Sequence, residues 1–300
     1  MKPSSALASV TSLALALVLA SCTSPKLPPD TGSLEPDKGQ EATEVPEEPA
    51  TVNLEDSQLP ETVLVDEADL TVTVTGLDTS DPAIPKINVS IANKATSPRV
   101  VQAQAVSVNG YMVDAWLPAE VDAGTTVSSA IELDAASLAR AQIYTIRTME
   151  LSLVVFDGES WEQLDTYGPF ELVTSADDSS SDVADDSGEI IYETEGITIK
   201  VCGITDEHTP FGTGQSVVLE VTNGSDETVT VSARDAKLNG EPVSVDFSAL
   251  VSPGKRSVAL MSFDRENDTG EIESVEASFT VFATERWEEL AASDPITFEP

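Results

Sequence analysis

From residue 62 onward, apolar and polar residues alternate with a period of two. Leu70, Val72 and Val74 alternate with Thr71, Thr73 and Thr75; Ile197, Ile199 and Val201 alternate with Thr198, Lys200 and Cys202. Ile87, Val89 and Ile91 repeat the pattern, as do Val217, Leu219 and Val221. So do Met149, Leu151, Leu153 and Val155, and, further along, Val275, Ala277, Phe279 and Val281. Successive side chains of a strand point to opposite faces, so each run predicts a strand with one face on a core and one in water. Asn109-Gly110 and Asn239-Gly240 sit between such runs. A two-residue type I′ turn needs positive φ at both central positions, which Asn and Gly tolerate, so both pairs predict hairpins. Asp157-Gly158-Glu159-Ser160 ahead of Trp161, with its counterpart ahead of Trp287, reads as a second hairpin loop.

The pattern occurs twice. Displacing the chain by 130 positions brings Asn93 onto Asn223, Ala103 onto Ala233, Asn109-Gly110 onto Asn239-Gly240, Val121 onto Val251 and Gly124 onto Gly254. Nearer the C-terminus the displacement is 126, and Val155-Phe156, Trp161-Glu162 and Pro169 meet Val281-Phe282, Trp287-Glu288 and Pro295. The difference lies in a segment of the first copy from Asp134 to Ala141, which predicts one or two helical turns with Asp134 as the cap. The expected organisation is an all-β chain of two tandem sandwich domains, residues 62–174 and 189–300. Residues 175–188, rich in Ser and Asp, form the linker. A domain of this size buries a sufficient core without disulfides.

Ahead of the repeats, Met1-Lys2, an apolar run from Leu13 to Ala20 and small residues before Cys22 have the form of a secretory signal over residues 1–21. The apolar run is too short for a stable membrane span. Leu19-Ala20-Ser21-Cys22 resembles the lipobox of bacterial lipoproteins. That resemblance implies cleavage before Cys22 and lipid on its sulfur and amine; two or three acyl chains hold a protein to a membrane where one does not. Prolines and acidic residues crowd residues 23–60 while the apolar ones fall without period, which predicts a disordered stalk over residues 22–61. The strand–Asn-Gly–strand element, Val121-Asp122-Ala123-Gly124 or Val251-Ser252-Pro253-Gly254 before the next strand, and the late Trp together resemble tandem immunoglobulin-like domains of Gram-positive surface lipoproteins. The resemblance covers both copies and implies the fold. It assigns no activity.

Charge and candidate chemistry narrow the picture. The chain has 53 acidic and 15 basic residues, a net charge of −38, which repels nucleic acid and favours cations or basic partners. His208 is the single histidine, so a histidine-based triad or zinc site has almost nothing to be built on, and no cofactor is expected. Once Cys22 carries lipid, Cys202 is the remaining thiol. It is placed outward by the period, and either pairs between molecules or stays a partly shielded free thiol. Asp66-Glu67-Ala68-Asp69 and the run from Asp264 to Glu271 bunch carboxylates without the spacing of a calcium loop; calcium capture and a merely solvated acidic surface both remain open. Tyr111, Met112 and Trp116 follow the first hairpin turn, where the second copy has Glu241, Pro242 and Asp246. They are the candidate binding patch, with packing at a sheet edge or between domains as the alternative. Trp161 and Trp287, present in both copies, suit a shared core role. The expected function is a non-enzymatic binding or interaction module, lipid-anchored on the extracytoplasmic face of the cell membrane. Its partner would be an envelope protein, a glycan or a small ligand. The alternatives are a cation- or solute-binding lipoprotein serving a transporter and, last, a hydrolase using carboxylates.

Overall fold

The computed structural model describes residues 50–176, 187–207, 214–264 and 270–300. The signal segment, Cys22, the stalk up to residue 49, linker residues 177–186, His208 and residues 265–269 of the second acidic cluster lie outside the described residues.

The period-two runs are strands, and their buried positions are those the alternation marks: Leu70, Val72 and Val74 on Leu70–Asp78, and Ile87, Val89 and Ile91 on Lys86–Asn93. Burying one face of each run drives two sheets together around a core. In the first sandwich one sheet has the order Thr62–Asp66, Leu70–Asp78, Lys86–Asn93, Thr126–Leu133, Ala115–Trp116. The facing sheet runs Gln163–Val173, Thr148–Asp157, Arg99–Val108, with Tyr111–Met112 and Ala119–Val121 along the outer edge of the last strand. Val72, Ile91 and Ile131 from one sheet meet Val101, Leu151 and Leu153 from the other. The second sandwich repeats the plan. Glu189–Thr194, Ile197–Thr205, Ser216–Asn223, Arg256–Asp264 and Ser244–Asp246 face a sheet centred on Val229–Leu238 and Val275–Ala283. Its core is a separate cluster holding Phe263 and Phe279, both fully buried.

The two copies use the same local devices. Asn93 is buried; its amide donates to the carbonyls of Ser97 and Val121, each at 2.9 Å, and its oxygen accepts the Ala95 N–H. Asn223 makes the same three bonds with Glu227, Val251 and Ser225. The Asn-Gly turns have the predicted geometry, with φ of 49° and 84° in the first copy and 50° and 86° in the second. A β-bulge interrupts the third long strand of each copy, between Gln104 and Ser107 and between Arg234 and Lys237, at Ala105 and Asp235, both at positive φ. The first copy's extra segment forms the helix Ala135–Arg140, capped by the Asp134 carboxylate accepting the Ser137 N–H at 2.7 Å.

Two expectations are corrected. The stalk does not extend to residue 61: from residue 50 the chain lies against the first sandwich. Val52 and Leu59 are 2% and 6% exposed and belong to its core, and Val52 N–H donates to the Pro82 carbonyl. Their burial supplies what composition alone hid, because two well-placed apolar side chains suffice to hold an otherwise polar strap. Trp161 and Trp287 are not core residues; they are 62% and 74% exposed. Each sits at positive φ, 59° and 51°, where the loop reverses and turns the side chain outward. The Trp161 ring reaches back only to Phe156, 6.4 Å between centroids.

Leu59→Ala is expected to lower the unfolding free energy by about 2–5 kcal/mol in denaturant titration. Glu61→Ala, exposed and two residues further on, should stay within about 0.5 kcal/mol of the parent. The Asp157 carboxylate is held below the usual range by the N–H groups of Ser160 and then Glu159 in its own loop. A lowered folded pKa gives a contribution fully present above the ordinary carboxylate value and lost as pH falls through the folded one. Carboxyl NMR titration of Asp157 should therefore find its midpoint below those of the exposed carboxylates, and Asp157→Ala should disorder the loop at every pH.

Candidate functional site

The hairpin that turns at Asn109-Gly110 brings Tyr111 and Met112 onto the edge of Arg99–Val108, paired with Val108 and Ser107. In the second copy the same turn leads to Glu241 and Pro242, both exposed. In the first it meets the other repeat. Arg256 pairs in parallel register with Tyr111, and its N–H donates to the Gly110 carbonyl at 3.0 Å. One sheet of each sandwich thereby joins into a single ten-stranded sheet. Met112 packs against the second core, and the Arg256 guanidinium carbon lies 6.0 Å from the centre of the Tyr111 ring.

Around this bridge lie ion pairs between and beneath the repeats. Glu220, its side chain 8% exposed, is 3.2 Å from Lys200 and 3.7 Å from Arg256. A carboxylate at that depth is tolerated only with close cations, and stripping it of partners costs about 3–5 kcal/mol. Lys255 reaches Glu150 across the junction at 3.2 Å, and Arg140 from the short helix pairs with Glu207. Burial, with the Glu220 carboxylate adding to it, pushes the Tyr111 phenol above its ordinary value, while Arg256 pulls the other way.

Beyond Met112 the chain leaves this sheet. Val113 N–H still donates to the Val106 carbonyl, but Ala115–Trp116 pairs with Thr126–Leu133 in the opposite sheet. A cleft of about 570 Å³ opens there between the repeats. Ala103–Val106 line one side and Ser257–Leu260 the other, with Asp114, Asp246, Glu207 and Arg140 among the polar groups around it. Arg140 and Glu207 also line a second hollow of about 380 Å³, which includes Tyr111, Glu220 and Cys202.

The structure thus separates the three sequence-predicted patch residues. Tyr111 and Met112 are half-buried at the junction, and Met112 borders the cleft. Trp116 is 60% exposed at the edge of the opposite sheet. Cys202 is exposed and in no disulfide. Of the carboxylate cluster Asp66-Glu67-Ala68-Asp69, Asp69 pairs with Arg99 at 3.6 Å. Among the described residues no group of three or more His, Cys, Asp or Glu is placed to hold a metal. The sequence reading missed Arg140, Lys200, Glu220, Lys255 and Arg256. A signal for them was available in the differences between the copies: Lys200, Glu220 and Arg256 stand where the first copy has Thr73, Ser90 and Thr126, and Arg140 lies in the insertion.

No protein-family model and no curated protein sequence matches the chain. Among solved structures it is similar to the YadV chaperone, at 17% identity over 72% of this chain and 92% of that chain, with a TM-score of 0.22. It is also similar to the Salmonella enterica SafA pilin in complex with the SafB chaperone, at 12% identity over 72% and 89%, with a TM-score of 0.20. At TM-scores this low the likeness carries no argument.

Met112→Asp sets a carboxylate against the second core. Calorimetry should then resolve two unfolding transitions where the parent has one, with far-ultraviolet dichroism unchanged below the first. A single transition at the parental temperature would show that the junction contributes little to cooperativity.

Proposed function

We propose that this chain is a membrane-anchored lipoprotein that acts outside the cytoplasm as a non-enzymatic binding module at the cell envelope. The observation that carries the binding part is the cleft between the repeats, about 570 Å³ and lined from both copies. Concave sites at domain junctions with a few convergent polar groups are the usual form of ligand pockets. The anchoring part is supported by the lipobox-like Leu19-Ala20-Ser21-Cys22. In this reading Cys22 bears the lipid, the segment up to residue 49 spaces the folded part from the bilayer, and the two sandwiches present the cleft as one body.

Two measurements test it. Cells expressing the chain should retain it in the membrane fraction, and Cys22→Ala should release it to the soluble fraction; equal partitioning of both would overturn the anchor. Thermal unfolding against a panel of envelope peptides, glycans and calcium tests the binding. A ligand at a hundred times its Kd adds about 2.7 kcal/mol, a rise of roughly 5–10 °C for a folded unit of this size. Turnover of any panel compound by the purified protein, abolished by a point substitution in the cleft, would overturn the non-enzymatic reading.

A further inference from the structure

We propose that the cleft is a strand-wide slot that takes an extended, basic peptide by backbone pairing. The inference rests on the binding-module reading and names the class of ligand. At one end of the slot the strand Tyr111–Met112 lies between Arg99–Val108 and Arg256–Asp264, antiparallel to the first and parallel to the second. The two long strands are therefore two ladder spacings apart there, about 9.5 Å. Following the register away from the Arg256–Tyr111 pair, Ser257 comes level with Ser107 and Val258–Leu260 with Val106–Gln104, and the latter two stretches line the two sides of the cleft. The strand that occupies the gap at its mouth departs after Val113, so the next stretch of the gap has the width of a strand.

The helix Ala135–Arg140 flanks Arg256–Asp264, and that strand's backbone has ladder partners at the two ends of the slot. On this edge of Arg256–Asp264, Arg256 pairs with Tyr111 and Ser262–Asp264 pair with Asp246–Ser244; among the described residues no ladder partner is recorded for those between. Arg256 N–H points into the slot side, donating to Gly110. With a period of two, the N–H and C=O of Val258 and Leu260 face the same way. This edge is regular, its pairing with Ser216–Asn223 showing no register shift, whereas the opposite edge carries the Ala105 bulge. Ser257–Leu260 is accordingly the principal template. Exposed strand edges bind extended peptides through main-chain hydrogen bonds, with side chains supplying selectivity. Here Asp114, Asp246 and Glu207 outnumber Arg140 around the cleft, and the chain as a whole carries −38, so a lysine-bearing peptide is favoured over an acidic one.

The test uses the full chain and three capped hexapeptides: Lys-Val-Thr-Val-Lys-Val, its Glu-for-Lys counterpart, and the Lys form with alternate backbone nitrogens methylated. The Lys form should bind, the Glu form should not, and methylation should weaken binding about tenfold or more, because it removes ladder donors. Hydrogen exchange on the complex should slow at the Val258 and Leu260 amides. Equal binding of the methylated peptide would reduce the interaction to charge capture and overturn the slot. Protection on the exposed edge strand Gln163–Val173 instead, or no binding of the Lys form at millimolar concentration, would overturn it as well. A panel glycan or other ligand that raises the unfolding temperature while all three peptides fail would overturn the slot and leave the binding-module reading standing.

Discussion

The Arg256 N–H donating to the Gly110 carbonyl, in register with Tyr111, carries the ladder of the first sandwich into the second. Without it the molecule would be two β-sandwiches on a string, each with its own core. With it, one sheet of each sandwich continues into the other, and every junction feature has a place fixed by that register. Glu220 is buried where Arg256 and Lys200 can neutralise it. Met112 reaches the second core, and the cleft starts where the bridging strand stops. A single backbone pair is weak alone. The Lys255–Glu150 and Arg140–Glu207 ion pairs and the apolar contact of Met112 cross the junction beside it and add to the cost of opening it.

Much of the fold was legible in the residue pattern. Period-two burial, the two Asn-Gly turns and the Asp134 cap all depend on short-range rules, and side chains such as Val72 or Ile199 obey them without reference to the rest of the chain. The strap at residues 50–61 was not legible, because Val52 and Leu59 are held by contacts far along the chain, with Pro82 and the first core; nothing local marks them. Trp161 and Trp287 misled for a related reason. Their size suggests burial, yet a positive φ in the loop decides where they point, and a bulky residue there is not announced by composition. As for the site, comparing the copies placed Tyr111 and Met112 at a point of divergence but could not say what they diverged toward. The other half of the contact lies on strands of the second repeat.

The two repeats are alike in what stabilises each one and unlike in what joins them. Asn93 and Asn223 make the same three bonds, and Asn109 and Asn239 both cap the segment ahead of the next long strand through their side-chain amides. Those bonds are internal to a sandwich and would be needed in any arrangement. The polar groups at Thr73, Ser90 and Thr126 became Lys200, Glu220 and Arg256 in the second copy, on the face that meets the first. In a chain with 53 acidic and only 15 basic residues, placing three cations, Lys200, Lys255 and Arg256, on one such face is a costly use of scarce charge. Lys200 and Arg256 offset the buried Glu220 of their own repeat, and Lys255 reaches across to Glu150 of the first.

The strap has a mechanical side. Gln58 N–H donates to the Ser175 hydroxyl at 2.9 Å, and the Gln58 carbonyl accepts the Ser175 N–H at 2.8 Å. The chain coming into the first sandwich and the chain leaving it are thus clasped side by side. Tension between residue 50 and the second repeat would therefore meet at one place on the first sandwich, the clasp and the buried Val52 and Leu59 beside it, rather than at its opposite ends.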